Sequence, residues 1–77
     1  MNNVSKIVAV LETLGNEISL TEIVNEISHR YHIVNDEQLF SAVKYTIEAN
    51  KHLFKQNNSP NKVIAIEIFE RKFTRIY

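Results

Sequence analysis

Hydrophobic residues recur every three or four positions along the first fifty residues, which is the spacing of helices with one buried face. The spacing predicts three helices, over residues 3–14, 20–31 and 36 to about 50. The predicted buried stripes are Val4, Ile7, Val8, Leu11 and Leu14 in the first helix, Leu20, Ile23, Val24, Ile27 and Tyr31 in the second, and Leu39, Phe40, Val43 and Ile47 in the third. These stripes should pack against one another as the core.

The residues at the predicted helix ends are of types that stabilise such ends. Gly15 follows the first helix, where a left-handed backbone conformation is cheap only for glycine. Ser19 and Glu22 match the S-x-x-E capping box at the start of the second helix. The β-branched residues in His32-Ile33-Val34 interrupt the helical pattern, and Asn35 is the predicted cap of the third helix.

After residue 52 the hydrophobic period changes from that of a helix to that of strands. Residues 53–56 predict one strand and residues 63–69 another, and the turn-forming residues 57–61 separate them. The two strands form a predicted hairpin over about residues 52–70. Earlier in the chain, the stretch at Ile18 predicts one or two further residues of strand.

The predicted order is helix, short strand, helix, helix, strand, turn, strand, an α+β fold in one domain spanning residues 1–77. This order resembles the winged-helix family of helix-turn-helix proteins, in which three helices precede a β-hairpin wing. LETLGNEISLTEIVNEI at 11–27 and HLFKQ at 52–56 resemble the opening of HARE-type winged helices and the strand before their wing. The resemblance implies a third helix that enters the major groove and a wing that contacts the DNA backbone or minor groove.

Composition excludes several classes of protein and leaves a polarised charge. There is no cysteine, hence no disulfide or thiolate metal site, and a single glycine, hence no glycine-rich phosphate loop. The sequence contains no apolar run of about 18 residues, the length that predicts a membrane span, so we expect a cytoplasmic protein. The net charge is zero, yet residues 1–40 carry two basic and six acidic side chains (−4), and residues 41–77 carry seven basic and three acidic (+4). Such asymmetry points to a charged partner.

Residues typical of catalysis or metal binding do not form a recognisable set. His29 and His32 lie three residues apart, but their spacing to other ligands matches no zinc pattern. A histidine near the end of the second helix is explained by its favourable interaction with the helix dipole. Asp36 and Glu37 are adjacent and therefore point in different directions on a helix. We expect no enzymatic activity, no metal and no cofactor.

The face of the third helix opposite its apolar stripe carries small and hydrogen-bonding residues, which suit contacts with bases and phosphates. Lysines and asparagines follow it toward the predicted wing. The predicted nucleic-acid-binding residues are Gln38, Ser41, Lys44, Tyr45, Lys51, Lys55, Asn57, Asn58 and Lys62. They predict a small regulator of transcription that binds double-stranded DNA. A composition rich in Asn, Ile and Lys is typical of AT-rich genomes and favours a bacterial, phage or plasmid origin.

A protein-interaction module is the alternative interpretation, docking on a polymerase, a nuclease or another regulator without contacting DNA. Asp36, Glu37 and Glu48 on the third helix would repel phosphates, and that helix carries no arginine to read guanine. A homodimer through Val63–Phe69 and the C-terminal tail is also predicted, because that strand is apolar on both faces. The tail could instead fold back over the second face, and the chain could be one domain of a longer protein.

Overall fold

The computed structural model describes residues 2–15, 18–57 and 62–65. Their elements, in chain order, are α1 (Asn3–Leu14), β1 (Ile18–Ser19), α2 (Leu20–Tyr31), α3 (Glu37–Ala49), β2 (Phe54–Asn57) and β3 (Lys62–Ala65). The strands form an antiparallel sheet in the order β1-β3-β2. The α+β class and the bounds predicted for the first two helices are confirmed.

The core lies between the three helices, each of which packs against the other two, and β1 contacts α2 while β3 contacts α1. Its buried side chains are Ile7, Val10, Leu11, Ile18, Leu20, Ile23, Val24, Ile27, Leu39, Val43, Ile47 and Phe54. All of them are apolar, and no polar or charged side chain is buried among the described residues. Burial of each large aliphatic side chain contributes roughly 1.5–3 kcal/mol to stability.

The predicted stripes need three corrections. The pattern places Leu14 in the buried stripe of the first helix, but Leu14 is the last residue of α1 and its side chain is 47% exposed. Phe40 was placed in the buried stripe of the third helix, but its side chain is 37% exposed. Leu39, Val43 and Ile47 define the centre of that stripe, and at about 100° per residue Phe40 lies about 60° from it, at its border with solvent. On α1 the pattern missed Val10, which is fully buried.

The capping side chains set where α2 and α3 begin. The backbone N–H of Glu22 donates to Oγ of Ser19 over 3.2 Å, as the capping box predicts for that half of the motif. The predicted cap of α3, Asn35, is wrong: Asp36 is the cap, and its Oδ1 accepts from the N–H of Leu39 over 3.0 Å. Asn35 instead donates from Nδ2 to the side chain of Asn25 on α2. Asn and Asp are about equally good caps, and the side chain of Asn35 is engaged with Asn25, so Asp36 takes the role.

Gly15 ends α1 with a backbone that other residues rarely adopt. Its φ of 114° is positive, as predicted, but its ψ of 152° is extended and not left-handed helical. Its N–H donates to the carbonyl of Leu11, so the glycine closes the last turn of the helix. This region of backbone angles is almost restricted to glycine.

The corner between α2 and α3 is held by hydrogen bonds within a few residues. His32 adopts left-handed angles, φ 55° and ψ 47°, and ends α2. The N–H of Ile33 donates to the carbonyl of Ser28, and Oγ of Ser28 donates to the carbonyl of Ile33. The chain therefore leaves α2 in a defined direction, and the predicted interruption at residues 32–34 is confirmed.

Replacement of His32 by glycine should raise the free energy of unfolding by up to about 1 kcal/mol. A left-handed conformation costs about 1–2 kcal/mol for a residue with a Cβ, and the larger entropy of unfolded glycine offsets part of the gain. His29→Gly is the matched control: it lies inside α2 and should lower stability by about 1 kcal/mol. Urea denaturation followed by circular dichroism measures both. Equal losses in the two variants would contradict the left-handed corner.

The sheet confirms antiparallel pairing of the two predicted hairpin strands. The first of them is Phe54–Asn57, one residue later than predicted, and its register places Phe54 opposite Ala65 and Asn57 opposite Lys62. β1 pairs with the other edge of β3, with Ile18 opposite Val63. The predicted turn beyond Asn57 and the predicted strand beyond Ala65, with the tail and its dimer surface, lie outside the described residues.

Candidate nucleic-acid interface

Four of the predicted site residues lie together on the solvent side of α3. Gln38, Ser41, Lys44 and Tyr45 are all exposed, and at about 100° per residue they fall within an arc of about 120° on one side of the helix. We call these four residues the α3 face. The side chain of Tyr45 is 73% exposed and lies outside the core, so its ring is accessible to a partner. The opposite side of α3 is buried in the core, so the α3 face is directed toward solvent.

A compact turn connects α3 to β2 and carries two further predicted residues. The carbonyl of Asn50 accepts from the N–H of Leu53 over 2.9 Å and from that of Phe54 over 3.1 Å. The side chain of Asn50 donates to the carbonyl of Thr46 over 2.7 Å, which ties the turn to α3. Lys51 in the turn and Lys55 on β2 are exposed. The turn therefore holds both lysines just beyond the C-terminal end of α3.

These lysines are not neutralised within the described part of the chain. None of Lys44, Lys51 and Lys55 forms an ion pair there with an acidic side chain. Glu48 lies four residues after Lys44 on the exposed side of α3, but no salt bridge joins the two. The three ammonium groups thus remain able to interact with an external anion.

The cations of the first two helices are engaged in contacts within the protein. Arg30 on α2 donates from its guanidinium to Oε1 of Glu26 over 3.1 Å and to Oγ1 of Thr13 over 3.2 Å. Lys6 on α1 places its ammonium 5.5 Å from the centre of the Tyr31 ring, a cation–π contact. These two side chains link α1 to α2. Among residues 2–15 and 18–55, the lysines and arginines without such a partner are Lys44, Lys51 and Lys55.

Acidic groups occupy the opposite end of α3. Asp36 is exposed and uses its carboxylate to cap the helix, and the exposed Glu37 follows it in the first turn. Negative charge at this position stabilises the helix through its dipole. The repulsion of phosphates that we expect from Asp36 and Glu37 therefore acts at the N-terminal end of α3.

The remaining predicted residues are described only in part. Asn57 and Lys62 lie opposite each other in the register of β2 and β3, so the backbone brings these two positions together. Asn58 lies outside the described residues. Sequence reasoning did not identify the exposure of Val34, whose side chain is 75% exposed in the corner before α3. The interruption of the helical pattern at residues 32–34 is the sequence feature that could have indicated this exposure.

The described residues contain no group of three or more side chains placed to hold a metal ion. His29 and His32 are both exposed, at the end of α2. In the same part of the chain, none of the helices has the length and apolar character needed to cross a membrane. The candidate site consists of exposed side chains on α3 and just after it, which form a surface.

This surface combines an exposed helix face with lysines at one end. Its side chains are of the types that donate hydrogen bonds to phosphates and base edges, with one aromatic residue among them. No protein-family model, curated protein or solved structure matches this chain.

Proposed function

We propose that this protein is a small winged-helix DNA-binding protein that regulates transcription in a bacterium, phage or plasmid. In this proposal α3 is the reading helix, and β2 and β3 belong to the wing. The order of the elements and the tight corner between α2 and α3 support it. The observation that carries it is the exposed α3 face beside lysines that have no ion-pair partner in the described chain.

The proposed mechanism divides the surface into positioning and reading groups. Lys44, Lys51 and Lys55 would contact phosphates, which supplies affinity for any duplex. Ser41 and Tyr45 would approach base edges in the major groove, where hydrogen bonds and apolar contacts distinguish base pairs. The wing positions Asn57, Asn58 and Lys62 would contact the backbone of the adjacent groove, as the winged-helix resemblance implies.

Salt dependence of duplex binding tests the proposal. If four lysines each contact one phosphate, the logarithm of the binding constant should fall with the logarithm of salt concentration with a slope of about −3 to −4. Fluorescence anisotropy with a pool of labelled random duplexes, between about 50 and 200 mM salt, measures this slope. A binding constant that is insensitive to salt, or absent binding at the lowest salt, would contradict phosphate contacts.

A protein-interaction module is the second candidate, and a specific observation favours it. Val34 and Tyr45 are among the most exposed apolar side chains of the described chain, and Phe40 is partly exposed on the same helix as Tyr45. Exposed aromatic residues are common at the centre of protein interfaces. A partner that co-purifies in equal amounts after nuclease treatment, and is lost in a Val34→Asp variant, would favour this function. Self-association through Val63–Phe69 and the tail stays a prediction for sedimentation analysis.

A further inference from the structure

We infer that the C-terminal half of α3 and the turn after it contact the duplex, and that the N-terminal turn of α3 does not. This inference rests on the proposed DNA binding and adds the orientation of the helix in the groove. Helix-turn-helix proteins generally contact bases through the N-terminal residues of the reading helix. The charges and hydrogen bonds of this chain point to the other end.

The two ends of α3 have opposite charge. Asp36 and Glu37 give the N-terminal end two negative charges, and Lys44, Lys51 and Lys55 against Glu48 give the C-terminal end two positive charges. At about 1.5 Å per residue, Glu37 and Glu48 are about 16 Å apart along the helix axis. The Debye length is about 10 Å at 0.1 M salt, so a phosphate near one end is largely screened from the other.

The N-terminal end of α3 already holds a carboxylate of the protein at the position that a phosphate would take. Backbone N–H groups in the first turn of a helix bind anions when they have no internal partner. Here the N–H of Leu39 donates to Oδ1 of Asp36. A phosphate at this end would have to displace a carboxylate that already caps the helix, while Glu37 stands exposed beside it.

The exposure of side chains within the α3 face also favours contact of the C-terminal half of α3 with the duplex. Tyr45 is the most exposed aromatic side chain of the described chain, and Lys44 precedes it directly. Gln38 lies within one residue of Glu37 and two of Asp36. Tyr45 is therefore the inferred contact to sugars or base edges, while Gln38 lies in the acidic first turn of α3.

Two matched neutralisations of exposed glutamates test this orientation. Glu48→Gln should strengthen duplex binding about fivefold at low salt, because it removes a negative charge from the contacting end, a change of about 1 kcal/mol. Glu37→Gln should change binding less than about twofold, because screening separates that end from the phosphates. Fluorescence anisotropy on one duplex measures both variants, and circular dichroism checks that each is folded.

A second pair of variants tests the same orientation independently. Tyr45→Ala should weaken binding about tenfold, the range expected for one lost contact in the groove, and Val34→Ala, at an exposed position just before α3, should leave it within about twofold. A larger effect of Glu37→Gln than of Glu48→Gln, or of Val34→Ala than of Tyr45→Ala, would overturn the inference and leave DNA binding itself intact. Absence of duplex binding by the unaltered protein would overturn both.

Discussion

Replacement of Ile47 by alanine should lower the free energy of unfolding by about 2–5 kcal/mol. The side chain of Ile47 is only 1% exposed and belongs to the core that holds α3 against the rest of the protein. Its truncation removes buried apolar surface and leaves a cavity, because packed neighbours relax only in part. A domain of 77 residues has a small margin of stability, so this single change should unfold a measurable fraction of the protein at room temperature.

Phe40→Ala is the matched control on the same helix. Phenylalanine is the larger side chain, yet Phe40 is 37% exposed and should cost only about 1 kcal/mol on truncation, because less surface leaves the core and no closed cavity forms. Urea denaturation of both variants, followed by circular dichroism at 222 nm, gives the comparison. If Phe40→Ala costs as much as Ile47→Ala, the buried stripe includes Phe40 as the sequence pattern predicts and the exposure of its ring is contradicted.

The Lys51→Gln, Lys55→Gln double variant should bind duplex DNA about 10- to 100-fold more weakly than the unaltered protein near 0.1 M salt. Each lysine is exposed and has no ion pair in the described chain, so each can contact one phosphate in the proposed complex. Loss of two such contacts should also reduce the salt slope by about 2, since each phosphate contact contributes about 0.9. The effect should be nearly the same for every duplex sequence, because phosphates carry no base information.

A Lys6→Glu variant separates a local contact from a change in overall charge. It alters the net charge by the same two units as the double variant, but on α1, where Lys6 lies over the ring of Tyr31. We expect a loss of duplex affinity below about threefold from Lys6→Glu, because a distant surface charge is screened by salt. Equal losses in the two proteins would mean that net charge alone controls binding, and the assigned surface would be wrong. Thermal melting of each variant excludes unfolding as the cause.

Much of the helical part of the fold could be predicted because its causes are local. Apolar spacing and the Ser19 cap defined α2, and the glycine at position 15 marked the end of α1. The error at the start of α3 has a local cause as well: Asn35 and Asp36 are both good caps, and the choice depends on the contact of Asn35 with Asn25, ten residues earlier. A sequence pattern does not contain that contact.

The candidate site was predictable on α3 and less so around it. The exposure of Tyr45 follows from its position opposite the buried stripe, so periodicity was sufficient. Periodicity does not predict whether the charged group of a lysine or arginine is free to contact a partner. Arg30 and Lys44 each have a glutamate four residues away on the same helix, but Arg30 is bonded to Glu26 whereas Lys44 forms no ion pair with Glu48. The further bond from Arg30 to Thr13 depends on the packing of α1 against α2.

By itself, the sequence determined the three helices, the antiparallel strands and the excess of basic residues after position 40, because periodicity, caps and composition act within a few residues of one another. The tertiary structure alone decided that Phe40 lies at the edge of the core, that Asp36 caps α3 and that Lys44, Lys51 and Lys55 form no ion pair within the described residues. These outcomes depend on how the helices and the sheet pack and on the turn at Asn50. Packing joins residues that are distant in the chain, and no local pattern records which of them will meet.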